Sequence, residues 1–140
     1  MTSGYSPGFN PVYEPDNLVS SEERLERLSA ALEANEQALK EAADELLDAE
    51  DARDSAWRQA MLSAECPKVG VFDGVRVTVA YQKAWVEEQI KGQERRVREA
   101  QIKVKAADAQ RRKLEGQLRA AQSINGNVRE AYRSTGGRPW

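Results

Sequence analysis

The chain contains no histidine and a single cysteine. Without histidine, the commonest general base and the commonest metal ligand are both missing. Cys66 alone makes neither an intramolecular disulfide nor a cysteine-based zinc site. Aromatic residues are only 6% of the 140. No apolar run approaches the roughly 20 residues needed to span a bilayer. The start, from Met1 to Tyr5, lacks the basic and apolar regions of a signal peptide. Glycine-rich phosphate loops, nucleophile elbows and Cys/His clusters are also missing. These absences lead to the expectation of a non-enzymatic, cytoplasmic chain of one domain at most, with no catalytic residue, cofactor, metal or membrane partner.

Proline and glycine are few and unevenly spread. Pro7, Pro11 and Pro15, with Gly4 and Gly8, forbid a helix near the start, so residues 1–19 read as an extended tail. Tyr5, Phe9 and Tyr13 alternate with these prolines, which makes the tail either unstructured or an aromatic segment that docks on a neighbour. At the other end, residues 134–140 close on Arg138-Pro139-Trp140 and read as a flexible end.

What the chain has is charge, 31% of its residues, segregated along its length. Residues 20–66 hold 13 Asp/Glu against 5 Lys/Arg, a net of −8. Residues 81–133 hold 13 Lys/Arg against 7 Asp/Glu, a net of +6. Both halves carry apolar heptads. In the first, Leu25, Leu32, Leu39 and Leu46 recur every seven residues, with Leu28, Ala42, Ala49 and Ala56 beside them. In the second, the seam is Val86, Ile90, Val97, Ala100, Val104, Ala107, Leu114, Leu118 and Ala121.

The first helix is expected over about residues 21–65, capped by Ser20 or Ser21 and stopped before Pro67. A connection follows over 66–78. In it, alternating valines flank Asp73-Gly74, a favoured two-residue turn, so residues 69–79 read as a small β-hairpin or an extended Val-rich link. Such a hairpin is marginal alone and needs cover, for which Trp57, Met61, Tyr81 and Trp85 are at hand. Thr78 is an alternative cap for the second helix, expected over about 79–122. Asn125-Gly126 then breaks it, and a short helix over about 127–133 completes a helical hairpin spanning residues 20–133. The fold class is therefore all-α: an antiparallel two-helix coiled-coil hairpin.

Four polar residues interrupt the two seams: Asn35 and Arg53 in the first, Gln93 and Arg111 in the second. In an antiparallel pair, facing residues have numbers with a constant total. Asn35 with Arg111 and Arg53 with Gln93 both total 146, and the same total pairs Leu32 with Leu114, Leu46 with Ala100 and Ala49 with Val97. Polar then faces polar, and beyond the leucine layers each large residue faces an alanine. The expected role of these four residues is to fix register.

Ala43, Leu47, Trp57 and Met61 form a second apolar stripe off the first seam, and Ile102 lies off the second. A two-helix hairpin alone leaves such a stripe wet, which marks Leu47, Trp57 and Met61 as oligomerisation residues of a four-helix or larger bundle. Asp44, Asp48 and Asp51 share a helix face, but no histidine or converging loop joins them, so they read as solvated surface rather than a cation site. Between Lys91 and Arg119 the chain carries 10 Lys/Arg against 4 Asp/Glu, a net of +6. This stripe either complements the acidic first helix or contacts phosphates, in which case Arg95, Arg98, Arg112 and Arg119 are the candidate DNA-binding residues. No aromatic residue lies in that span to stack on bases.

The run from Leu118 to Tyr132, following an Arg/Lys-rich helix entered at Thr78-Val79, resembles small helical proteins of bacteriophages of Gram-positive hosts. The likeness covers residues 78–133 at most, and no functional residue carries over from it. It implies an accessory protein encoded among recombination or replication functions. A superficial similarity to small secreted helical hairpins of actinobacteria fails at the turn, where those have Trp-x-Gly and this chain has Asp73-Gly74. The expected function is that of a self-associating coiled-coil interaction protein, a phage accessory protein with an unidentified protein partner. Nucleic acid is a further candidate partner. The alternatives are a scaffolding subunit of a phage assembly or an inhibitor of a host protein.

Overall fold

A computed structural model describes residues 18–136, with side chains to residue 134. The aromatic tail with Tyr5, Phe9 and Tyr13, and the terminal Arg138-Pro139-Trp140, lie outside the described residues. The order of elements is α1 (Leu18–Leu62), β1 (Gly70–Phe72), β2 (Val75–Val77), α2 (Val79–Gln89) and α3 (Lys91–Ala131), closed by a π-helical turn over Tyr132–Gly136. The fold is mostly helical, and the long helices α1 and α3 pack together. The described chain divides into two compact units: residues 18–34 with 111–136, and residues 35–110.

In the first unit, α1 does not begin at a serine cap, as the sequence suggests. It is already helical at Leu18, and Ser21 lies inside it, buried. Its hydroxyl donates to Asn125 Oδ1 at 2.9 Å, a bond between residues 104 apart. The same bond explains a second difference. Asn125-Gly126 does not break α3, which runs on to Ala131, so the expected stop near residue 122 and the separate short helix merge into one. Asn and Gly weaken a helix by local preference, but burying Asn125 with its oxygen satisfied outweighs that. Leu114 and Ala121 are buried here, and Leu28 lines a surface groove with Gln117, Ala121 and Ile124.

In the second unit the core is narrow, as the heptads imply. Ala49, Val97 and Ala100 form a buried cluster with Leu46 packed against it. These are the residues that a total of 146 sets opposite each other. Glu45 meets Lys103, and Arg53 meets Glu94, so numbers rise along α1 as they fall along α3. That is an antiparallel arrangement. Small residues dominate the seam, so a layer is filled by Ala49, Val97 and Ala100 with Leu46 only partly enclosed.

The helix ends follow local chemistry. α1 stops at Leu62, three residues short of the expected boundary, because a serine turn intervenes before Pro67. Ser63 Oγ accepts from the Glu65 N–H at 3.2 Å, and the Cys66 N–H donates to the Ser63 carbonyl at 3.1 Å. Thr78 caps α2, its side chain accepting from the Tyr81 N–H at 3.1 Å. That cap ends β2 at Val77. The single long second helix of the sequence reading is divided at Ile90 (φ −103°, ψ 16°). The backbone bonds from Ile90 to Val86 and from Glu94 to Ile90 persist, so the chain bends without leaving these groups unpaired. Ile90 itself and Val86 one turn before it are buried, and Gly92 just beyond weakens helical preference.

The β-hairpin forms as the valine alternation predicts. Gly70 pairs with Val77, Val71 with Arg76 and Phe72 with Val75. Asp73 (φ 51°) and Gly74 (φ 77°) both take positive φ, the signature of a type I′ turn whose twist matches that of the strands. The cover on the sheet is incomplete: of the expected covering residues, Trp57 and Trp85 are half-buried. Val69, Val71, Phe72, Val75 and Tyr81 are exposed, as is Met61. Phe72 does bend back over its own strand, since a Cβ on Gly70 would come within 3.3 Å of its ring.

Candidate functional site

The residues singled out in the sequence fall into three groups. The apolar stripe Leu47, Trp57 and Met61 lies on α1 in the second unit. Leu47 is 59% exposed and Met61 40%, and Trp57 is half-buried. Ala43 and Ile102 are exposed as well. The helical repeat that buries Ala49 and packs Leu46 against it turns Leu47 outward, because successive residues point about 100° apart around the axis.

The four polar seam residues take individual roles. Asn35 is buried and donates its amide to the Ala107 carbonyl at 3.2 Å, while its Oδ1 has no hydrogen-bond partner. Arg53 is half-buried and lies 3.3 Å from Asp54 and 3.7 Å from Glu94, the neighbour of Gln93. Gln93 lines a groove of about 280 Å³ with Ala56, Gln59, Trp85 and Ile90. Arg111 is half-buried and pairs with Glu115 one turn along its own helix, at 3.2 Å.

The basic stripe divides between the units. Arg95 and Arg98 are exposed neighbours on one face of α3 in the second unit, and Arg112 and Arg119 are exposed two turns apart in the first. Part of the charge on this helix is spent on the acidic helix. Lys103 Nζ lies 3.1 Å from Glu45, and Arg129 pairs with Glu22. Both pairs are substantially exposed, so each contributes about 0–1 kcal/mol and acts more on partner choice than on stability.

Among the described residues, no three His, Cys, Asp or Glu side chains converge as a metal site. Cys66 is buried, its thiol 3.7 Å from the Pro67 carbonyl, which also accepts from Gln82 Nε2 at 2.9 Å. These contacts tie the connection to α2. The sequence reading missed two features: the Ser21–Asn125 bond, and the exposed face of the hairpin. The valine alternation signals the second, because a two-stranded sheet has few neighbours to hide behind.

No helix among the described residues is long and apolar enough to cross a membrane. No family model, curated protein or solved structure matches the chain.

Proposed function

We propose that this chain is a non-enzymatic interaction protein that associates with itself and works through protein–protein contacts. The carrying observation is the apolar surface left on the second unit. Leu47, Met61 and Ile102 are exposed on helices whose other faces supply the seam. Exposed apolar side chains on the outer faces of both helices favour a partner over water. The resemblance of residues 118–132 to phage proteins makes the setting a bacteriophage accessory function in recombination or replication, carried out in the host cytoplasm. A scaffolding subunit of a phage assembly, or an inhibitor of a host protein, uses the same surfaces.

Static light scattering tests self-association. The expected result is a mass of two chains or more, lowered by the double change Leu47→Glu and Met61→Glu. Both side chains are exposed, so the change leaves the fold intact. A single-chain mass for the unaltered protein overturns the reading. Capture from infected cells then identifies the partner.

A second reading is contact with nucleic acid through α3. It rests on the exposure of Arg95, Arg98, Arg112 and Arg119 and needs only phosphates, since α3 carries no aromatic residue to stack on bases.

A further inference from the structure

The two-stranded sheet carries poorly covered apolar surface in the second unit. Val71 is 67% exposed, Phe72 50% and Val75 65%. Strands of three residues paired only to each other are marginal in water, and a third strand or a packed face is what stabilises them. The described residues supply no further strand.

The pairing determines which backbone groups face outward. In a two-residue hairpin the pair flanking the turn, Phe72 with Val75, exchanges ladder bonds, and so does Gly70 with Val77. The N–H and C=O of Val71 therefore point away from β2, and those of Arg76 point away from β1. Each edge is a template for another strand.

The two edges differ in what a second copy would meet. Antiparallel pairing about a two-fold axis at Arg76 sets guanidinium directly against guanidinium, which is destabilising. The same operation at Val71 sets valine against valine, Gly70 against Phe72, and Val69 against Asp73. It also leaves Lys68 one position from Asp73 of the second copy, within reach of its flexible stem, and symmetry repeats this opposite-charge pair. Lys68 and Asp73 are both exposed.

We infer that the outer edge of β1 is a self-association surface, on which β1 of a second copy pairs antiparallel about Val71 to make a four-stranded sheet. This rests on the self-association reading and adds to it the surface and the symmetry. Four strands also give Phe72 and Val75 a continuous apolar face in place of an isolated ribbon.

Two variants test it. In a Cys66→Ala background, Val71→Cys places two thiols across the axis, where hydrogen-bonded pairs bring Cα atoms to about 5.5 Å, within disulfide range. Mild oxidation should yield a disulfide-linked dimer at least several-fold more efficiently than it does with Arg76→Cys. Separately, Val71→Lys puts like charges on the axis and should halve the mass by light scattering, with the far-ultraviolet circular dichroism unchanged. Both results are required. Equal crosslinking at Val71 and Arg76, or an unchanged mass for Val71→Lys, overturns the inference. If the unaltered protein has the mass of one chain, the self-association reading itself falls. If Val71→Lys keeps its mass while Leu47→Glu with Met61→Glu loses it, the helical stripe carries association and only the sheet inference falls.

Discussion

Ser21 donates its hydroxyl proton to Asn125 Oδ1 across 2.9 Å, and both residues are buried. Their numbers total 146, as do those of Ala49 with Val97 and Leu46 with Ala100 in the separate cluster of the second unit. One polar pair and one apolar layer, each in its own unit, therefore share a single numbering relation. A buried polar pair of this kind favours one register, because a slip along the helix leaves both groups unpaired.

Ser21→Ala should lower the unfolding free energy by about 1–3 kcal/mol, since it leaves Asn125 buried with its acceptor unsatisfied. Alanine is the better helix former, which offsets a few tenths of that. Urea denaturation measures the loss. The double change Ser21→Ala with Asn125→Ala should cost less than the sum of the single changes, because neither variant then strands a partner. An unaltered midpoint for Ser21→Ala would show that the bond contributes nothing.

Asn35 behaves in the opposite sense. Its amide reaches the Ala107 carbonyl, but its Oδ1 is buried without a partner. Asn35→Leu removes that unsatisfied oxygen, and the Ala107 carbonyl keeps its own helical N–H. Stability should rise by about 1–2 kcal/mol. Specificity should fall. Cysteine pairs at Ala49/Val97 and Leu32/Leu114, in a Cys66→Ser background, should crosslink within one chain while Asn35 is present. Pairs whose numbers total 139 or 153 should gain yield only in Asn35→Leu. Destabilisation by Asn35→Leu, or no change in crosslinking pattern, would remove the register role.

The parts of this fold that were legible in the sequence are those set by local chemistry or by a strict period. Asp73-Gly74 dictates the turn because both residues must take positive φ, and Gly does so freely. Thr78 caps, and the heptads locate Ala49, Val97 and Ala100 in the core. The features that were not legible depend on distant partners. Ser21 looks like a cap until Asn125 is beside it, and Asn125-Gly126 looks like a stop until Ser21 is beside it. The bend at Ile90 leaves the heptad pattern intact, so periodicity does not reveal it. Of the residues singled out for a site, Leu47 and the four arginines are exposed, and the valine alternation marks the sheet whose outer face is bare.

Glycine inside α3 provides an independent check on how much of its surface is unengaged within the chain. A Cβ added at Gly116 or Gly126 meets nothing within 4 Å. Each change to alanine should therefore stabilise the helix by about 1 kcal/mol through backbone preference alone. Thermal denaturation at fixed protein concentration reads this. Destabilisation at either position would place another surface against it, and a concomitant loss of mass would identify that surface as a second copy. Gly70→Ala should act the other way, because φ of 146° and the Phe72 ring at 3.3 Å both oppose a side chain.

The charge on α3 separates the two functional readings. Between Lys91 and Arg119 the net charge is +6, and Arg95, Arg98, Arg112 and Arg119 are exposed. If this face contacts phosphates, binding is electrostatic and each lost contact flattens the salt dependence by about 0.9 units of logarithmic slope. Changing Arg95, Arg98 and Arg112 to glutamine should then weaken binding uniformly across sequences and reduce the slope by about three units. The protein–protein reading expects something else. In it the basic helix answers the acidic one, as Lys103 does with Glu45 and Arg129 with Glu22. No retarded band should then appear in a mobility shift even at low salt, and the triple change should lower the melting temperature instead. Exposed pairs contribute little individually, so that decrease should be small and should fade as salt is added. A salt-sensitive complex with duplex DNA, abolished by the triple change at constant melting temperature, would reverse the order of the two readings and make the apolar stripe the means of assembling a DNA-bound array.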